Sequence, residues 1–389
     1  MRILLLGEYS NVHATLSKAL KKRGHEVLLI SNGDFWKNYP RDIDLSRQYT
    51  KLGGLLYWLK VMILLPRLRN FDIVQIINPM FLELKAQRIF PIYNYLKKHN
   101  KRIVLCAMGM DHYWVDACTN HKHLRYSDFN IHDQLRTNKD AIAEQKDWLN
   151  TSKEALNRHI ANTCDAIVSG LYEYWATYQL YFPKKNTFIP FPISIESQPK
   201  EIGSFHYPLK IFIGISKQRH EYKGTDIMLQ AAKAIATKYP SKVILHEVNG
   251  IPFNEYQQII NGSDVLLDQL YSYTPAMNGL LAMSKGIICM GGGEPENYNI
   301  LNESSLKPII NVEPNYKSVE KALEELVLSP HKIQQLKEDS IRYIQKHHDA
   351  NKVAKQYEDL YLQLLKSEKI RVYRFIIPSL INKKARRSY

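Results

Sequence analysis

The stretch GISKQRHEYKGTD, residues Gly214 to Asp226, decides the fold. It follows LKIFIGIS, a short apolar run that reads as a buried strand. It leads into DIMLQAAKAIATKYP, whose apolar residues recur at helical spacing. Strand, cationic loop and helix in that order form one unit of a parallel α/β sheet. In such sheets ligands sit beyond the carboxyl ends of the strands, where helix N-termini present bare N–H groups to phosphate. Arg219 brings a planar fork for paired phosphate oxygens, and Lys223 a compact charge. A basic loop that merely faces water would carry the same residues, so both readings stand on this segment alone.

The alternation continues in both directions. Upstream, MRILLLGE, HEVLLIS, FDIVQIIN, KRIVLCAMG and CDAIVSG read as strands apolar enough for a parallel sheet buried on both faces. Downstream, KVILHEVNG, DVLLDQLY, GIICMGGG and KPIINV repeat the plan. Proline-rich FIPFPIS and the polar ESQPKEIGSFHYP separate the halves. The expectation is two doubly wound, Rossmann-like α/β domains facing a cleft, over residues 1–195 and 206–348. A terminal helix (349–366) crosses back to the first domain, and a basic amphipathic tail (367–389) closes the chain. LLYWLKVMILL, residues 55–65, is too short to span a bilayer and carries Lys60, so a buried helix ending at Pro66 is expected.

Composition agrees with this plan. A chain of 389 residues exceeds one ordinary core, and 45% hydrophobic with 23% charged residues fits a soluble globular protein. MRILLLGEYS passes straight from a short apolar run to a polar loop, unlike a signal peptide. Cys106, Cys118, Cys164 and Cys289 lack ligand spacing, which points away from a disulfide framework or zinc site and toward a reducing cytoplasm. The net charge of +15 suits nucleic acid, anionic lipid or a phosphorylated substrate. With no nucleic-acid-binding motif legible, the first is not expected. In the tail, Val372, Phe375, Ile376, Ile377, Leu380 and Ile381 lie among Arg371, Arg374, Lys383, Lys384, Arg386 and Arg387. That mixture suits a peripheral contact with an anionic membrane, or a solubilising tail.

GISKQRHEYKGTD, DVLLDQL, PAMNGLLAMSKGIICMGGGEPE, KPIINV and the ending RYIQKHHDANKVAKQYEDLY together resemble the GT-B glycosyltransferases that use nucleotide-sugar donors. They are similar in particular to the retaining family 4, or "group 1", enzymes. The resemblance implies that Arg219 and Lys223 clamp the donor diphosphate, with Gly214 beside them. It also implies that the turn Thr274, Pro275, Ala276, Met277, Asn278 offers backbone N–H groups to phosphate. One departure stands out. Where the family carries two glutamates eight residues apart, this chain has Tyr273 and Leu281. Leucine cannot accept a ribose hydroxyl, which makes Glu294 and Glu296 the nearest replacements as donor contacts.

The first domain is expected to hold the acceptor. Its first loop, GEYSNVH, is not a dinucleotide fingerprint. It places Glu8, Ser10, Asn11 and His13 where a substrate would lie, although Ser10 and Asn11 are equally suited to cap the following helix. The resemblance suggests that Asp111 or His112, after the strand KRIVLCAMG, approaches the reacting sugar. His121, His123, Arg125 and Tyr126 form an expected acceptor-side wall, and Tyr172, Glu173 and Tyr174 the cleft floor. The chemistry implied is transfer with retention, without metal or other cofactor, to a glycan or lipid-linked acceptor of surface-polysaccharide synthesis at the cytoplasmic face of a membrane. A nucleotide-sugar epimerase of the same fold and a non-catalytic nucleotide-sugar-binding relative are the alternatives.

Overall fold

The computed structural model describes residues 1–195, 203–215, 220–251 and 253–366. Arg219 and the tail 367–389 lie outside the described residues.

Two parallel sheets organise the chain. The first contains β1 (Arg2–Leu6), β2 (Glu26–Ser31), β3 (Ile43–Asp44), β4 (Ile73–Ile76) and β5 (Arg102–Ala107). After a small antiparallel pair, β6 (Asn130–Ile131) and β7 (Gln134–Leu135), it is completed by β8 (Ala166–Ser169) and β9 (Asn186–Phe188). Its order is β3-β2-β1-β4-β5-β8-β9. The second contains β10 (Leu209–Ile215), β11 (Val243–Asn249), β12 (Val265–Leu267) and β13 (Ile288–Met290), in the order β11-β10-β12-β13. Both reverse direction beside their first strand, which is the doubly wound topology. KPIINV, expected as a strand, contributes a single bridge from Ile310 to Met290. Pro308, with no N–H to give, shortens the pairing there.

Continuous apolar runs form these strands because helices cover both faces. Ile3 and Leu5 pack under helix Val12–Lys22 and the terminal helix 350–366. Leu4 and Leu6 face the opposite layer, with Ile89, Ile92 and Ile160. The terminal helix is keyed to the first sheet by a buried polar relay. The Tyr361 hydroxyl donates to Gln75 Oε1 at 2.6 Å, and Gln75 Nε2 lies 3.1 Å from His13 Nε2. His13 Nδ1 lies 2.8 Å from the Gly7 carbonyl, which can only accept and so assigns the proton to Nδ1. Glu358 adds an ion pair with Arg23 and a 2.8 Å contact to His25.

The two crossings between lobes lie side by side. Ile193 N–H donates to His348 O at 2.7 Å, and Ala350 N–H to Ile193 O at 3.0 Å.

The helix Lys51–Leu64 corrects an expectation. Only Gly53, Tyr57 and Val61 are buried, while Leu52, Leu55, Leu56, Leu59, Met62 and Ile63 are exposed. A run apolar on nearly every side has no periodicity to tell which stripe meets the core.

Burial holds the imidazoles of His13 and His348 down at about 4, from an ordinary 6.5. The folded protein keeps both neutral while the unfolded chain takes up protons. Their contribution is therefore complete above about pH 6.5 and lost as pH falls toward 4, up to about 3 kcal/mol each. Replacing His348 with Asn is expected to flatten the fall in urea-denaturation stability between pH 7 and 4.5 by about 2–3 kcal/mol relative to the parent.

Candidate functional site

A cavity of about 1230 Å³ opens between the lobes, beyond the carboxyl ends of β1, β2, β10 and β12. Its second-lobe wall is built around Lys223. The short helix His220–Lys223 ends at Gly224, whose φ of +70° is the left-handed region. A Cβ there would sit 2.6 Å from Leu270 Cβ, so only glycine lets this loop press against the exit of β12. Lys223 O then accepts from Leu270 N–H at 3.0 Å, and its side chain lines the cavity.

Beside it, at the end of β12, lies Asp268, to which the sequence reading gave no role. Burial pushes its carboxyl up to about 6, while the charge of Lys223 pulls it back down. It accepts from Ala276 N–H at 3.2 Å and tucks against Gly279, where a Cβ would come within 2.8 Å of Asp268 Oδ2. That contact fixes the start of helix Met277–Met283, of which Met277, Asn278 and Leu281 face the cavity. Asn278 Nδ2 donates to the Tyr256 hydroxyl at 2.9 Å, and Tyr256 lies against Gly214 at the end of β10. Leu281 thus occupies an apolar point of the wall, whereas Tyr273 is buried in the lobe interface.

The opposite wall comes from two loops of the first lobe. Ser10 and Asn11 have φ of 52° and 71° and line the cavity. Asn11 makes no side-chain cap bond. The capping falls to Glu8, whose carboxylate accepts from His13 N–H at 3.2 Å and Ala14 N–H at 2.7 Å. From the loop after β2 come Trp36, Lys37 and Tyr39, with Lys37 paired to Asp34 at 2.6 Å. Lys285, bonded to Asn261 Oδ1 at 2.7 Å, is the third cation. Among the described lining residues are three lysines and one carboxyl; with Lys37 paired to Asp34, the balance is still one net positive charge, which favours an anionic ligand. The aromatic-cationic turn DFWKNYP after β2 was the available signal for Lys37, since it obeys the same carboxyl-end rule as the loop after β10. No group of three or more His, Cys, Asp or Glu side chains among the described residues could hold a metal ion.

Several expected site residues are placed elsewhere. Asp111 is 1% exposed and caps helix His112–Thr119, accepting from Trp114 N–H at 2.9 Å and the Tyr178 hydroxyl at 2.7 Å. His112 is as deeply buried, 3.6 Å from Glu154, and burial lowers its pKa. His13 belongs to the core relay and Glu8 to the helix cap, so none of these four lines the cavity. Tyr172 stacks on Tyr273, with ring centroids 5.7 Å apart. The Thr274 N–H and hydroxyl are both taken by Glu173.

Glu294 and Glu296, expected at the donor, bind Arg125 instead. Glu294 accepts from Arg125 Nη2 at 2.7 Å and from the Tyr126 hydroxyl, and Glu296 pairs with Arg125 Nη1. Arg125 and Tyr126 therefore tie the lobes together and are not the acceptor wall.

No protein-family profile matches the sequence, and no curated protein matches it significantly. The solved structures it resembles include sucrose-phosphate synthase from Thermosynechococcus elongatus, at 13% identity over 94% of this chain and 100% of that one, TM-score 0.59. WaaG, a glycosyltransferase involved in lipopolysaccharide biosynthesis, aligns at 12% identity over 93% and 99%, TM-score 0.57. Anabaena HepE in complex with UDP-glucose aligns at 10% over 94% and 100%, TM-score 0.56. At these identities the likeness establishes the fold: two Rossmann-like domains in the GT-B arrangement.

Because Glu296 serves the interface, Glu296→Gln is expected to lower stability by about 0.5–1 kcal/mol, the scale of a partly exposed ion pair. Urea denaturation checks this: a transition midpoint unchanged from the parent would show that the ion pair adds nothing to the junction between the lobes.

Proposed function

We propose that this protein is a retaining glycosyltransferase that moves a sugar from a nucleotide-diphosphate donor to a glycan or lipid-linked acceptor, without a metal ion. The observation that carries this reading is the lysine-rich cavity at the carboxyl ends of both sheets, with Lys223 and the start of helix Met277–Met283 on one wall and Ser10 and Asn11 on the other. The donor lies along the second lobe. Its base and ribose run past Tyr256 and Leu281, and its diphosphate meets Lys223, Arg219 and the backbone N–H groups of Met277 and Asn278.

Catalysis in this scheme rests on charge. As the bond between the anomeric carbon and the phosphate oxygen breaks, negative charge grows on the diphosphate, and preorganised cations in a water-poor cleft stabilise it. The acceptor hydroxyl approaches the same face of the sugar from the Ser10–Asn11 side. Its oxygen forms the new bond to the anomeric carbon while its proton passes to the departing phosphate oxygen. The configuration is retained, and no protein nucleophile is needed. Asp268 is a positioning residue, holding the Ala276 turn against Lys223. The setting that suits this reading is surface-polysaccharide synthesis at the cytoplasmic face of a membrane.

A thermal-shift and hydrolysis screen of UDP-, GDP-, ADP- and dTDP-sugars tests it. One nucleotide class is expected to stabilise the protein and to be released slowly as nucleoside diphosphate. Lys223→Ala is expected to weaken that binding by about 10–100-fold, the ~1.4–2.8 kcal/mol of a charge-assisted contact. Conversion of the donor to an epimer without release, or no binding by any nucleotide, would contradict the proposal.

A further inference from the structure

The helix Lys51–Leu64 turns its apolar side outward. Leu52, Leu55, Leu56, Leu59, Met62 and Ile63 are each between 38% and 72% exposed, and they recur at spacings of three and four. At ~100° per residue these six occupy an arc of about 120°, the width of a stripe that normally faces a core. Lys51 and Lys60 stand on the two borders of that arc, and exposed Arg67 and Arg69 follow its end. Residues 51–69 contain four cations and no acid. An apolar stripe rimmed by long cationic side chains matches the acyl and phosphate levels of an anionic bilayer, because lysine can lay its stem on the apolar surface and keep its ammonium at the headgroups. A patch made to meet another soluble protein would have no need of cations along both borders and beyond its end.

Length sets the mode of contact. With 14 residues at ~1.5 Å each, the helix reaches about 21 Å, short of the ~30 Å hydrocarbon core. No helix among the described residues is long and apolar enough to cross a membrane. A helix of this length can meet a bilayer only by lying in its interface plane.

Its position gives the contact a use. Thr50 caps the helix by accepting from Gly53 N–H at 2.9 Å, and Tyr49, just before it, stacks on Phe35 with ring centroids 6.4 Å apart. Phe35 adjoins Trp36, which is 69% exposed and lines the cavity mouth together with Lys37 and Tyr39. The apolar surface thus runs from the helix to the first-lobe entrance of the cavity.

We propose that the outward face of helix Lys51–Leu64 docks this protein on an anionic lipid surface and brings the Trp36 edge of the cavity to the bilayer. Only the lipid-linked nature of the acceptor depends on the transferase reading; docking itself needs no turnover.

Flotation of the full chain with vesicles of phosphatidylcholine, alone or mixed with phosphatidylglycerol, tests this. Binding is expected on the mixed vesicles and to fall at least ~10-fold in the double variant Leu56→Glu, Leu59→Glu. The thermal midpoint and the release of nucleoside diphosphate in solution are expected to stay at parental values, so a failed transferase reading shows in the second assay and a failed docking reading in the first. Three results would overturn the proposal. The parent ignores anionic vesicles; the double variant floats as well as the parent, leaving the tail as the anchor; or light scattering finds a dimer that the double variant dissolves, making the face an interface between copies.

Discussion

A buried carboxylate sets the geometry on which the cavity depends. Glu173, on helix Tyr172–Tyr181 of the first lobe, is 4% exposed and reaches into the second lobe. It accepts from Tyr273 N–H at 2.7 Å and Thr274 N–H at 3.0 Å, and from the Thr274 hydroxyl. Losing it would orphan two buried amides, at about 1–3 kcal/mol each. That is a large part of the ~5–15 kcal/mol that holds a typical domain together. Since the loop it grips runs directly into Ala276 and helix Met277–Met283, the same contact that joins the lobes also fixes one wall of the cavity. Arg125 and Arg136 reinforce it from the segment between β5 and β8. Arg125 pairs with Glu294 and Glu296, and the Arg136 guanidinium lies 3.6 Å over the Tyr271 ring while donating to Tyr222 O at 3.0 Å.

With the lobes held this way, the carboxyl ends of both sheets open onto one space. The sheets need no side-chain chemistry of their own to make a site; they need only deliver loops to it. Gly224 allows the closest approach, and Lys223 follows from it. Asp268 and Ala276 then couple the cationic loop to the turn that presents backbone N–H groups. Under the proposed reading, leucine at position 281 leaves this charge frame intact and offers no acceptor to a ribose hydroxyl, so donor placement rests more heavily on the diphosphate.

The strands were legible because parallel sheets covered on both faces need long apolar runs, and this chain has them at regular intervals. Lys223, Gly214, Ala276, Met277, Asn278, Ser10 and Asn11 were legible because position at a strand's carboxyl end predicts proximity to the cavity, and all of them line it. That rule says nothing of side-chain direction. Asp111, His112, Glu8 and His13 sit at the same level of the fold yet turn into helix caps and the core. Partners far away in sequence were beyond local reading: Glu173 meets Thr274 101 residues on, and Arg125 meets Glu294 169 residues on. Helix Lys51–Leu64 misled for another reason, since uniform apolarity conceals which side faces out.

The central claim is that the cavity holds a donor diphosphate against Lys223. A crystal structure grown with the nucleoside diphosphate that stabilises the protein most tests this directly. The account predicts phosphate density within ~3 Å of Lys223 Nζ and of the Met277 or Asn278 amide, the reach of a charge-assisted hydrogen bond. A nucleotide bound elsewhere, or phosphates turned away from Lys223 toward solvent, would contradict it.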